Sequence, residues 1–166
     1  MPETPEGVRP RRMLTVCKGN HCRAPLAAAV LAKHGGSAVE IRCAGLRDWH
    51  VGKPAHPVMV DVAARCGYDL SHHRRVQISP ELLAWADVVL AMDAAVLAAL
   101  RELADEISAP KLLLYLGDRD VSDPWKQPSE AFTACVTVVE AGALRNLTGT
   151  GACTAGPVGI GSTRSW

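Results

Sequence analysis

Apolar positions along this chain fall into short runs separated by longer stretches of helical spacing. Met13-Leu14-Thr15-Val16 is a run of the first kind, closed by Gly19 and Asn20, and reads as a buried strand ending in a turn. Pro25 fits a first helical turn, and residues 26–34 are rich in Ala and Leu until Gly35-Gly36 stops the pattern. The alternation then repeats. Residues 39–43 alternate as a strand, residues 57–66 have helical spacing up to Gly67, and Ser79-Pro80 opens a short helix with an N-cap followed by proline. Residues 87–92 form an apolar strand, and Asp93 caps a helix running to about Glu106. Residues 111–115 give a fourth strand, 116–128 a loop, and Ser129 caps a last helix to about Leu147. Strands that alternate with helices and are apolar on both faces predict a parallel sheet covered on both sides. The expected fold is therefore α/β: a single-domain three-layer sandwich with a four-stranded parallel sheet flanked by helices. Ligands of such sheets bind beyond the carboxyl ends of the strands.

Composition narrows the function classes. At 166 residues the chain allows one core, and 48% hydrophobic with 21% charged residues is the balance of an ordinary globular protein. A formal net charge of +1 supplies no broad field for a nucleic-acid backbone, so any anion must be met by a local site. No apolar run is long enough to span a membrane. The six cysteines form no Cys-x-x-Cys pair and no zinc-finger spacing, so neither a metal site nor a disulfide framework is expected. Residues 1–12, with three prolines, read as a flexible leader without the apolar centre of a secretory signal, and the Gly-rich residues 148–166 as a flexible tail. The domain proper then spans 13–147. A reducing, cytoplasmic setting follows from the cysteine usage, and the alanine-rich composition suggests a bacterial source.

The run Cys17-Lys18-Gly19-Asn20-His21-Cys22-Arg23 lies between the first strand and the first helix. Unpaired backbone N–H groups converge there, and the helix dipole is positive. Such a place is a phosphate loop in the making: Gly19 lets the backbone close around an anion, and Arg23 can grip two of its oxygens. A thiolate is favoured in the same environment, and a thiolate is the nucleophile a phosphoryl transfer would use. Inert buried thiols beside a surface arginine would also fit a lone Cys-x5-Arg. Position favours chemistry, because a cation at a helix N-terminus opposes the macrodipole unless an anion joins it.

Val16-Cys17-Lys18-Gly19-Asn20-His21-Cys22-Arg23-Ala24-Pro25 resembles the signature of the low-molecular-weight protein tyrosine phosphatases, V-C-x-G-N-x-C-R-S-P. Asp48-Trp49-His50-Val51-Gly52-Lys53-Pro54 looks like that family's D-W-x-V-G-x-P segment. His73 and Gln77 fall in its histidine-containing loop, Ala91-Met92-Asp93 matches its third-strand end, and Asp123-Pro124-Trp125 matches its D-P-[YW] loop. The resemblance implies a cysteine-dependent phosphatase without cofactor. Cys17 would attack phosphorus to give a cysteinyl-phosphate, Arg23 and the N–H groups of residues 18 to 23 would hold the equatorial oxygens, and Asp123 would serve as general acid and then base. Lys18, Gly19, Asn20, His21 and Cys22 would line the substrate site, with Trp49 and Trp125 walling a slot for a flat aryl group. Asn20 and His73 would brace the loop, and Cys22 would be a redox partner for Cys17.

The chain departs from the family pattern at several places. Ala24 stands where the family has a serine whose hydroxyl bonds the nucleophilic sulfur. Cys43 replaces a serine of the bracing network, and Val76 replaces the arginine that usually precedes the glutamine matched by Gln77. Lys18 and His21 replace apolar or small residues, so a more basic entrance is expected, suited to a phosphorylated protein or to a small-molecule phosphate with a second acidic group. Two readings compete with the phosphatase. An arsenate reductase needs a further cysteine pair, and residues 80–100 contain no cysteine. A non-catalytic phosphate-binding module accounts for Ala24 but not for the joint presence of Cys17, Arg23 and Asp123. A monomer or weak dimer is expected, with no nucleic-acid or membrane partner.

Overall fold

The computed structural model describes residues 9–150. Four strands, β1 (Arg11–Cys17), β2 (Val39–Gly45), β3 (Val88–Ala91) and β4 (Leu112–Leu114), form one parallel sheet in the order β2-β1-β3-β4. Five helices connect them: α1 (Arg23–Gly35), α2 (Pro57–Arg65), α3 (Pro80–Trp85), α4 (Ala94–Leu103) and α5 (Ser129–Arg145). Because side chains alternate along a strand, the central strands feed two cores. Met13, Leu90 and Met92 pack under α1, α2 and α5 with Leu26, Val30, Met59, Phe132 and Val139. Leu14, Val16, Val89 and Ala91 pack on the other side with Leu83, Val96, Leu97 and Leu100 from α3 and α4. No helix among the described residues is long and apolar enough to cross a membrane.

Local chemistry accounts for most boundaries. Ser79 caps α3 by accepting from the Leu82 N–H, Asp93 caps α4 by accepting from the Val96 N–H, and Pro57 and Pro80 occupy first helical positions. Five expectations are corrected. The leader boundary at residue 12 is too late: Arg11 and Arg12 already pair with Val39 and Glu40. Asp87 secures that start, accepting from the Arg12 N–H at 2.9 Å and from both terminal nitrogens of Arg9 at 2.8 and 2.9 Å. Its carboxyl is held down to about 2, chiefly by the Arg9 hydrogen bond. Residues 1–8 and 151–166 of the expected leader and tail lie outside the described residues, and a helical turn at Asn146–Thr150 runs past the expected start of the tail.

The other corrections concern caps and edges. Pro128, not Ser129, precedes α5, and Ser129 is its first residue without a side-chain cap bond. The α4 helix ends at Leu103 rather than near Glu106, since Asp105 folds the chain into a turn by accepting from the Ser108 N–H. Only the central strands β1 and β3 are buried on both faces; β4, though all leucine, exposes Leu113. The edge strand β2 exposes Glu40 and Arg42, the polar marking that protects an edge.

Candidate active site

The strand order reverses direction beside β1, so the carboxyl ends of β1 and β3 frame the crevice where such sheets bind ligands. Cys17 is the last residue of β1, and Arg23 is the first residue of α1. Between them the loop is tied on both flanks. The Leu46 and Arg47 N–H groups donate to the Cys17 and Lys18 carbonyls, and the His56 N–H donates to the His21 carbonyl. Asn20 turns the loop in the left-handed region (φ 57°), where asparagine is better tolerated than most residues. Its Nδ2 donates to the Val76 carbonyl at 3.1 Å, its own carbonyl meets His73 Nε2 at 2.9 Å, and its N–H donates to Cys17 Sγ at 3.2 Å. The N–H groups of Gly19, His21, Cys22 and Arg23 meet no protein acceptor among the described residues. Converging donors of this kind are suited to a tetrahedral dianion.

Arg23 is buried and held from one side. Its Nη1 donates to Asp93 Oδ2 at 2.7 Å and to the Val121 carbonyl at 2.9 Å, whereas Nη2 lies 3.7 Å from Asp123 Oδ2. Burial alone would weaken the guanidinium charge, but the Asp93 hydrogen bond, with Cys17 and Asp123 nearby, overcomes this and raises the pKa. One edge of the fork is thus used for positioning and the other faces the site. Asp123 belongs to the long loop after β4. That loop is stapled to the end of β3 by Val121 N–H to Met92 O (2.7 Å) and by Asp120 Oδ1, which accepts from the Ala94 N–H. Asp123 Oδ1 accepts from the Trp125 N–H at 3.0 Å, which fixes the carboxyl in a local turn while leaving the side chain partly open to solvent.

A cleft of about 470 Å³ joins these groups, lined by Cys17, Arg23 and Asp123 together with Lys18, Gly19, His21, Cys22, Trp49, Trp125, His50, His56 and Arg75. Asn20 does not line it; fully buried, it braces the loop instead. Trp49 and Trp125 are half exposed, the first beneath Lys18 and Arg47 and the second beneath Lys126. His21 presents an edge to Trp125 and sits 5.8 Å from the His56 ring. The expectation that His21 makes the entrance basic is overturned. Burial, then repulsion from Arg75, hold it down to about 4, so it is neutral at physiological pH.

The outer support is also rewired. His73 Nδ1 lies 3.8 Å from Cys43 Sγ, and burial, with Cys17 nearby, pushes that thiol up to about 12. Burial likewise pushes Cys22 up, which keeps it protonated. The Val76 substitution costs the brace nothing, because the loop uses only its backbone carbonyl. Ala24 is fully buried; its carbonyl accepts from Thr15 Oγ1 at 2.9 Å. Sequence reasoning missed four participants: Asp93 as the anchor of Arg23, His56, Arg75, and Gly45. A Cβ at Gly45 would come within 2.9 Å of the Gly19 and Asn20 backbone, so only glycine lets the loop rest there.

The model of the low-molecular-weight phosphotyrosine protein phosphatases matches residues 12–150. The chain belongs to that family. The phosphatase is 38% identical over 144 residues to a low-molecular-weight protein-tyrosine-phosphatase of Streptomyces coelicolor, covering 78% of this chain and 87% of that one. It is 34% identical to Wzb of Salmonella typhi over 131 residues, with the same two coverages. Among solved structures, Vibrio vulnificus Wzb in complex with benzylphosphonate superposes with a TM-score of 0.78 at 27% identity, covering 83% of this chain and 97% of that one. These relatives make the chain a cysteine-dependent phosphatase, and its parallel α/β sheet is theirs.

Proposed function

We propose that this phosphatase hydrolyses aryl phosphomonoesters, phosphotyrosine among them, in two steps through a phosphate covalently bound to Cys17. The observation that carries the reading is the meeting of Cys17, the outward edge of Arg23 and the Asp123 carboxyl around one cleft. Cys17 Sγ attacks phosphorus and the aryl oxygen leaves, taking a proton from Asp123. The loop N–H groups and Arg23 hold the three equatorial oxygens, whose charge changes most in the transition state. Asp123, now a carboxylate, then takes a proton from the water that attacks the phosphocysteine, releasing phosphate and the free sulfur. Trp49 and Trp125 favour a flat leaving group, in line with the benzylphosphonate, a phenyl ring one carbon from its phosphonate, held by the Vibrio vulnificus relative. Lys18, Gly19 and His21 line the mouth, Asn20 and His73 keep the loop shaped, and Cys22 is the thiol placed to trap an oxidised Cys17. The domain takes in residues 11–150, from the first residue of β1 to the turn after α5, and the free-thiol chemistry suits a reducing cytoplasm.

The wild-type enzyme should hydrolyse para-nitrophenyl phosphate without added metal. Acid quenching during turnover should leave one phosphate on the peptide containing Cys17; label elsewhere, or none, would refute the covalent route. Ala24→Ser gives a second check. A hydroxyl bonding the charged sulfur contributes roughly 1.5–3 kcal/mol, so kcat should rise about tenfold or more. Unchanged turnover would mean the pocket has been rebuilt around the alanine.

A further inference from the structure

Arg75 is a guanidinium of this cleft that the phosphoryl chemistry does not use; Lys18, another cation of the lining, lies over the Trp49 ring. Its backbone is clamped: its carbonyl accepts from the Gly52 N–H and its N–H donates to the Lys53 carbonyl, each at 2.9 Å. Its Nε donates to the Pro54 carbonyl at 3.1 Å. These three bonds fix the guanidinium, while Nη1 and Nη2 meet no protein acceptor and no carboxylate among the described residues. The residue is half-buried and lines the same cleft as Cys17, Arg23 and Asp123. An unpaired cation drawn partly out of water is costly unless an anion joins it.

The position explains why this arginine faces inward. The family pattern has arginine at the place of Val76, immediately before Gln77. Here the arginine comes one residue earlier, and in an extended segment a shift of one residue moves a side chain to the opposite side. Accordingly Val76 is exposed, whereas Arg75 turns to the cleft. Its field is felt there: after burial it is the leading cause that lowers both His21 and His56. Those rings stay uncharged, His21 standing edge-on to Trp125 and tilted against His56, so they offer an aryl group a neutral wall and no charge for a second anion.

We propose that Arg75 is a second anion-recognition point, and that the substrate carries a further anionic group, a carboxylate or second phosphate, beside its aryl phosphate. The proposal rests on the phosphatase reading of the same cleft. A guanidinium fork matches both kinds of group. The group can come from an acidic residue flanking phosphotyrosine in a peptide, or from a substituent on a small aryl phosphate.

Two matched pairs separate the sources: phosphotyrosine peptides with glutamate or glutamine flanking, and para-carboxyphenyl or para-carbamoylphenyl phosphate. The full-length wild type should prefer the anionic member of at least one pair by about tenfold in kcat/KM, mostly through KM, and less so as salt rises. Arg75→Gln should abolish the preference, Arg75→Lys should keep part of it, and Arg74→Gln, at an exposed neighbour outside the cleft, should retain it. Preference within the peptides assigns a protein segment as the source, and preference within the small esters assigns a metabolite. Turnover without preference, or a preference that survives Arg75→Gln, overturns this inference alone. No turnover of any aryl phosphate overturns the phosphatase reading and this inference with it.

Discussion

Cys17→Ser should lower kcat for aryl phosphates by about four orders of magnitude, roughly 5 kcal/mol in the barrier. The loss follows from what surrounds the sulfur. Its hydrogen-bond partner in the structure is the Asn20 N–H, a donor, at 3.2 Å. A donor favours an anionic sulfur but gives a serine hydroxyl nowhere to send its proton. His73 is no substitute base, because its Nε2 is engaged with the Asn20 carbonyl and its Nδ1 faces Cys43. Binding should survive the change, since the loop N–H groups and Arg23 are untouched. Calorimetric titration with inorganic phosphate, run beside the para-nitrophenyl phosphate assay, separates the two. Wild-type turnover in Cys17→Ser would remove the nucleophile assignment, and loss in Cys22→Ser instead would move it to the other end of the loop.

Much of this site is legible in the chain because its parts are local. Strand, loop and helix follow one another over residues 11 to 35, and the loop's chemistry depends on N–H groups that its own backbone must leave unpaired. Asp93 and Ser79 read correctly as caps because a cap acts within three residues. What escaped notice acts across the fold. Asp93 anchors Arg23 from 70 positions away with the oxygen that its capping role leaves over. His21 reads as basic in one dimension, yet burial and Arg75 make it neutral. The inward turn of Arg75 depends on which side of an extended segment it occupies, and a displacement of one residue decides that.

The leaving group should expose Asp123 more clearly than a single rate can. Asp123→Asn keeps an oxygen to accept the Trp125 N–H, so the turn at Pro124 should persist while the exchangeable proton is lost. General acid catalysis contributes typically 10²–10⁴-fold. With phenyl phosphate or phosphotyrosine, whose phenols leave poorly as anions, kcat/KM should fall by about 10²–10³-fold. With para-nitrophenyl phosphate the first step needs little protonation, and the fall in kcat/KM should be far smaller. The second step still lacks its base. The variant should therefore release a burst of nitrophenol close to one equivalent of enzyme and then turn over slowly, with the phosphate held on Cys17. Electrostatics adds an independent signature: Asp123 Oδ2 lies 3.7 Å from Arg23 Nη2, so neutralising it removes a negative charge beside the bound dianion. Inorganic phosphate should inhibit Asp123→Asn more tightly than wild type. A leaving-group dependence parallel to that of the wild type, with no burst, would take the acid and base roles away from Asp123. They would then pass to another group of the cleft.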